Sequence, residues 1–124
     1  MEHRHRWLVG ALVVVVLVVG NVQPVVAATQ IDIVGPAGSG AFGTSVTVLP
    51  NGNIVVTDPY YDDGETEDVG AVYLHDGSTG ALISMLTGST AGDQIGSDAY
   101  GNTYVRLLSN GNYVIGSPRW HNGE

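Results

Sequence analysis

Apolar and polar residues alternate along Thr44–Leu49, with Val46 and Val48 on one side and Ser45 and Thr47 on the other. A period of two marks a strand with one buried face, so the valine side is assigned to the core. Pro50–Asn53 breaks the run with turn residues. Ile54–Thr57 then resumes it as an unbroken apolar stretch, the pattern of a strand buried on both faces. The whole pattern returns 59 positions later: Val46–Pro59, VTVLPNGNIVVTDP, aligns without a gap on Val105–Pro118, VRLLSNGNYVIGSP. Both copies keep Asn-Gly at the centre, which supplies the positive φ angles of a two-residue hairpin turn. A fixed period of this length is the signature of a repeat architecture.

Between the copies, Ala71–Asp76 and Ala81–Leu86 read as two more strands joined by a tight turn at Gly77–Gly80. Ile31–Val34 is a further short strand candidate, read as the outer strand of a unit whose first three strands lie elsewhere. The 18 glycines and many β-branched residues oppose helix. Four short strands per period make one antiparallel sheet per repeat, and such sheets stacked around an axis form a propeller. A solenoid usually has a shorter period, and a sandwich needs no repeat. The expected fold is therefore all-β, with antiparallel four-stranded blades of a β-propeller-like repeat. It is partial, about one and a half blades, with repeats at about 42–100 and 101–124. Stacked units bury their faces on neighbours, so residues 29–124 alone are expected to expose sheet faces and edges.

The first 28 residues have a different composition. Met1–Arg6 carries Arg4 and Arg6, Trp7–Gly20 is apolar throughout, and Asn21–Ala28 ends in small residues. That order predicts a signal peptide over 1–28, cleaved after Ala28, ahead of the repeat region 29–124. The apolar run is short for a spanning helix, which needs roughly 20 residues, and Asn21 and Pro24 interrupt its extension. An uncleaved anchor is the other reading, and the only membrane association expected. The expected location is secreted or cell-surface. There is no cysteine, so packing alone must hold the fold. The formal net charge is −8 and there is no lysine, which excludes nucleic acid as a partner by repulsion of phosphate.

Acidic residues concentrate in Asp58–Val69. Asp62, Asp63, Glu65, Glu67 and Asp68 are the metal candidates, because calcium takes several carboxylate oxygens. Their spacing does not follow the alternating ladder of a calcium loop, so a solvated, self-repelling loop is expected, with no cofactor and with calcium disfavoured. His75, next to Asp76, reads as a surface pair at a strand end, and His75 and His121 have no metal-motif spacing. No serine sits in a Gly-x-Ser-x-Gly elbow, and no catalytic residue is assigned. The 59-residue offset superposes Arg119 on Tyr60 and Trp120 on Tyr61, just after a proline in each copy. These four are the binding candidates, since aromatic residues and arginine anchor binding surfaces. The competing reading is that each ring packs on its own sheet.

The order FGTSV, IVVTDPYYDD, GAVYL, LTGS resembles the FG-GAP repeat of integrin-α-type β-propellers and its bacterial relatives, over Gly35–Glu124. Phe42-Gly43 stands at the Phe-Gly place, and Tyr100-Gly101 in the second copy. Thr57-Asp58-Pro59 and Gly116-Ser117-Pro118 stand at the Gly-Ala-Pro place, keeping the proline and part of the glycine pattern. Many calcium-binding members carry alternating aspartates between the first two strands, whereas Pro50–Asn53 has no carboxylate here. The resemblance implies an exported, non-catalytic propeller segment, a binding or adhesion module for a protein or glycan, adjoining further repeats of a longer chain. The alternatives are a non-catalytic fragment of a larger exported enzyme, or a truncated reading frame without independent function.

Overall fold

A computed structural model describes residue 20, residues 27–97, residue 100 and residues 102–121. The expected signal peptide lies outside the described residues except for Gly20, Ala27 and Ala28, as does Gly101 of the second Phe-Gly place. The described chain is all-β. Strands β1 (Ser45–Val48), β2 (Ile54–Asp58), β3 (Ala71–His75) and β4 (Leu82–Thr87) form an antiparallel sheet in chain order. Strands β5 (Val105–Leu107) and β6 (Tyr113–Ile115) form a separate hairpin. The repeat holds at the level of single residue pairs. Val46↔Val56, Thr47↔Val55 and Val48↔Ile54 in the first unit recur as Val105↔Ile115, Arg106↔Val114 and Leu107↔Tyr113.

The turns differ from expectation. Leu49 N–H donates to Asn53 O at 2.8 Å and Gly52 N–H donates to Leu49 O at 2.9 Å. Leu108, Gly111 and Asn112 repeat this at 2.8 and 3.1 Å. Only the glycines take positive φ, +87° at Gly52 and +84° at Gly111. This is a three-residue loop closed by a left-handed glycine, not a two-residue turn. Pro50 presets the first corner of an ordinary turn, which leaves a single position needing positive φ. Asn51 Oδ1 and Asn110 Oδ1 each accept the amide of the residue two places on, both at 3.0 Å.

Strand alternation divides the core in two. Val55, Val72 and Leu49 are buried together with Ile95, and Val105, Tyr113 and Ile115 of the hairpin pack against them. The β5–β6 hairpin therefore lies across one face of the first sheet. On the other face Val56, Ala71 and Tyr73 are buried beneath Phe42 and Tyr61. The double burial expected of β2 is found. The sidedness of β1 is not: Val46 and Val48 are 59% and 62% exposed, while Ser45 and Thr47, which share the face of Val55, are half-buried. The side chains roofing the valine face cover β2 and β3 and leave β1 open.

Two further expectations are corrected. Ile31–Val34 forms no strand; it passes the β3–β4 turn, where a Cβ on Gly80 would meet Ile31 and Ile33. His75 is buried at 6% exposure rather than on the surface. The period of two sets it on the face of Ala71 and Tyr73, with Nδ1 3.0 Å from Gly80 O and its ring edge-on to Phe42. Asp76 instead braces the turn. Its Oδ1 accepts the Ser78 hydroxyl and the amides of Ser78 and Thr79, which hold its carboxyl down at about 2.

Candidate functional site

The loops after β2 and after β6 are built alike. Pro59 directly follows β2 and withholds the N–H that would continue the ladder, and Pro118 stands at the equivalent place, after Gly116 and Ser117. Tyr61 N–H then donates to Asp58 O, and Trp120 N–H to Ser117 O, at 3.3 and 3.1 Å. The side chain before the proline ties the loop to the segment ahead of the unit. Fully buried Asp58 accepts Ala41 N–H at 2.7 Å and Tyr60 N–H at 3.3 Å on Oδ1. Ser117 Oγ accepts Gly96 N–H at 3.3 Å.

The acidic loop is folded by its own backbone. Asp63 and Thr66 exchange amide bonds at 3.1 Å, and Asp62 Oδ1 accepts Asp68 N–H at 2.8 Å. Asp63, Glu65 and Glu67 are exposed, whereas Asp62 and Asp68 are half-buried. Among the described residues, no three His, Asp or Glu side chains are placed to hold a metal ion. The loop is clamped to the connection after β4, through Gly92, Gln94 and Ile95 amides donating to Glu67, Asp68 and Val69 carbonyls at 3.0–3.1 Å.

The four binding candidates separate. Tyr60 and Trp120 are 45% and 53% exposed. Tyr61 is half-buried and meets Tyr73 edge-on, with centroids 6.4 Å apart. Arg119 is half-buried and donates from Nη1 to Gln94 Oε1 at 2.7 Å. Beside Trp120 opens a cleft of about 360 Å³, walled by Leu86 and Thr87 of β4 and by Ile95 and Ile115.

Two features were not assigned from the sequence. The first is Asp93, fully buried at the seam of the two units. Its Oδ2 accepts the amides of Ser89 and Thr90, at 3.0 and 2.9 Å. Its Oδ1 accepts His121 N–H at 3.0 Å, with His121 Nδ1 at 3.3 Å. Burial pushes the carboxyl up, but these bonds outweigh it and hold Asp93 below the usual range. The second is a set of buried polar atoms without hydrogen-bond partners: Ser39 Oγ, Asp58 Oδ2, Tyr73 OH and His75 Nε2. Burial, reinforced by Asp58, pushes the Tyr73 phenol up to about 12. The Ser39 hydroxyl is near enough to lower it slightly, though the two oxygens do not meet hydrogen-bond geometry. Counting by two from Ala71 gives the inward placement of Tyr73 and His75. The spacing Ser89, Thr90, Asp93 is the local signal of a carboxylate that caps a turn.

With this geometry in view, residues 48–97 and 107–124 match the repeat of unknown function DUF5650, more than half of the chain. The chain belongs to the DUF5650 family. The first matched stretch holds β2, β3, β4 and the Asp93 connection, and the second holds β6 with Arg119 and Trp120. Comparisons of this DUF5650 chain with curated proteins and with solved structures returned no match.

Proposed function

We propose that this DUF5650 chain is an exported, non-catalytic binding module of the FG-GAP, integrin-α-like propeller type. It takes a protein or glycan ligand at the cell surface or outside the cell, on the loop end carrying Tyr60 and Trp120. The observation that carries the reading is the Trp120 cleft: a half-exposed indole beside about 360 Å³ of largely apolar space. That size suits a small-ligand or side-chain pocket. The neighbouring backbone is pinned by Asp93 through His121, so little ordering entropy opposes binding there. Arg119 is held by Gln94 and positions the loop rather than offering a loose charge. Export is supported by the n, h and c pattern of residues 1–28. The proposed activity uses no cofactor and no calcium. Propeller stacking is supported by the hairpin lying across the first sheet in repeat register.

The test applies the full chain, Trp120→Ala and Tyr60→Ala to a printed glycan array and a panel of immobilised extracellular-matrix proteins. Trp120→Ala is expected to weaken binding at least about tenfold, and Tyr60→Ala less, as for a central and a peripheral anchor. Binding that is absent, or indifferent to Trp120, overturns the proposal.

A further inference from the structure

We infer that a second binding site, for a neutral sugar, lies between the two Asn-Gly-Asn loops, at the opposite end of β2 from Tyr60. It is independent of the Trp120 cleft. A cleft of about 360 Å³ opens between the two units, lined by Asn51, Asn53 and Asn112 and by Leu49, Leu74 and Tyr113. Asn53 is the last loop residue before β2, and Asn112 the last before β6. Each unit thus contributes the same part of its hairpin loop, and the site exists only where two units stack. The turns account for Asn51 and Asn110, whose side chains accept the amides of Asn53 and Asn112 at 3.0 Å. They do not account for Asn53 and Asn112 themselves. Those two supply backbone groups only: the amides just named, and carbonyls that accept Leu49 N–H and Leu108 N–H, both at 2.8 Å. Any residue but proline could do this, and asparagine is a poor choice beside a strand. Among the described residues, neither carboxamide makes a hydrogen bond within the chain.

The lining selects the class of ligand. A carboxamide both donates and accepts, as a sugar hydroxyl does, so two unspent carboxamides suit a ring that carries several hydroxyls. Leu49, Leu74 and Tyr113 supply carbon surface for the C–H face of such a ring. Leu74 and Tyr113 already pack on the core cluster of Leu49 and Val55, so this wall is formed before a ligand arrives. No carboxylate or basic side chain lines the cleft. Asp76 lies with Asn53 in the adjoining cleft, and the chain carries a net charge of −8, which together repel acidic ligands. What remains is a neutral polyhydroxyl ring. Hydrogen bonds on both sides of Asn53 and of Asn112 fix their backbone, so little ordering entropy opposes binding.

The full chain is titrated, by saturation-transfer NMR and calorimetry, with the methyl glycosides of glucose, galactose, mannose and N-acetylglucosamine, and with glucuronate and sialic acid. At least one neutral glycoside is expected to bind in the millimolar range or tighter, and the acidic sugars at least about tenfold more weakly. Asn53→Ala and Asn112→Ala are each expected to weaken that binding at least about tenfold, whereas Trp120→Ala leaves it unchanged. Asn53→Asp or Asn112→Asp, which keeps the shape and removes the amide donor, replaces an alanine variant whose circular-dichroism spectrum changes, with the same loss expected. The inference is overturned if no neutral glycoside binds, if acidic sugars bind as tightly, or if folded asparagine variants bind like wild type. Binding that Trp120→Ala removes also overturns it, and assigns the sugar to the loop-end cleft instead.

Discussion

Tyr73→Ala is expected to lower the free energy of unfolding by about 3–5 kcal/mol, while Tyr73→Phe leaves it within about 1 kcal/mol or raises it. Tyr73 is 1% exposed at the centre of the second core cluster, edge-on to Phe42 at 5.2 Å and to Tyr61 at 6.4 Å. Removing the ring opens a cavity that three other rings cannot fill without leaving their own contacts. A domain this size has only about 5–15 kcal/mol in hand, so the alanine variant is close to unfolded. The hydroxyl is another matter. It is buried without a partner, so deleting it sheds a desolvation cost and no hydrogen bond. The same hydroxyl sets an alkaline limit. Its pKa rises from 10.0 to about 12 on folding, so the folded state binds that proton more tightly. The associated stability is complete below the unfolded value and is lost as pH climbs between the two values. Urea midpoints measured across this range should fall more steeply for wild type than for Tyr73→Phe. Equal slopes, or a phenylalanine variant as damaged as the alanine one, would contradict this account of the core.

Asp93→Ala is expected to cost about 2–4 kcal/mol and to loosen the second unit selectively. One buried carboxylate accepts amides from Ser89 and Thr90 on the connection after β4 and from His121 beyond β6. Without it these amides lose a charged acceptor, and the seam between the units loses its only described carboxylate clasp. Hydrogen exchange should therefore quicken at Val105–Leu107 and Tyr113–Ile115 while Val55 and Val72 stay protected. Because folding lowers the Asp93 pKa, its contribution is present above the unfolded carboxylate value of about 3.9 and is lost as pH falls further. Wild type should thus lose stability below that value faster than the variant. Uniform acceleration of exchange across both units would show that Asp93 braces the whole fold rather than the seam.

Much of the architecture was legible in the sequence because it depends on local periodicity. The 59-residue offset fixed the strand pairs of both hairpins, and the unbroken run at Ile54–Thr57 gave a strand buried on both sides. What the periodicity did not contain was which side a neighbour covers. Alternation separated Val46 and Val48 from Ser45 and Thr47, but the covering hairpin arrives from residues 105–115 and lies on the other side. The Asn-Gly pair suited two loop lengths, and both copies take the three-residue one, with Ser109 in the second where the first has Pro50. His75 was misplaced by its neighbour Asp76, although counting by two from Tyr73 puts it inward. At the loop end, Tyr61 and Trp120 occupy equivalent places yet differ in exposure, because Tyr61 meets Tyr73 from β3. That contact spans 12 residues of chain and leaves no trace in local pattern.

The central claim is that the two units stack face on face in repeat register, with Val55 and Ile115 across the seam. A double-mutant cycle on Val55→Ala and Ile115→Ala tests it most directly, since the two residues lie 60 positions apart and in different sheets. The predicted result is a coupling of about 0.5–1 kcal/mol or more, as for side chains that share a packed cluster. Strict additivity, with the double variant costing the sum of the singles, would contradict the stacking.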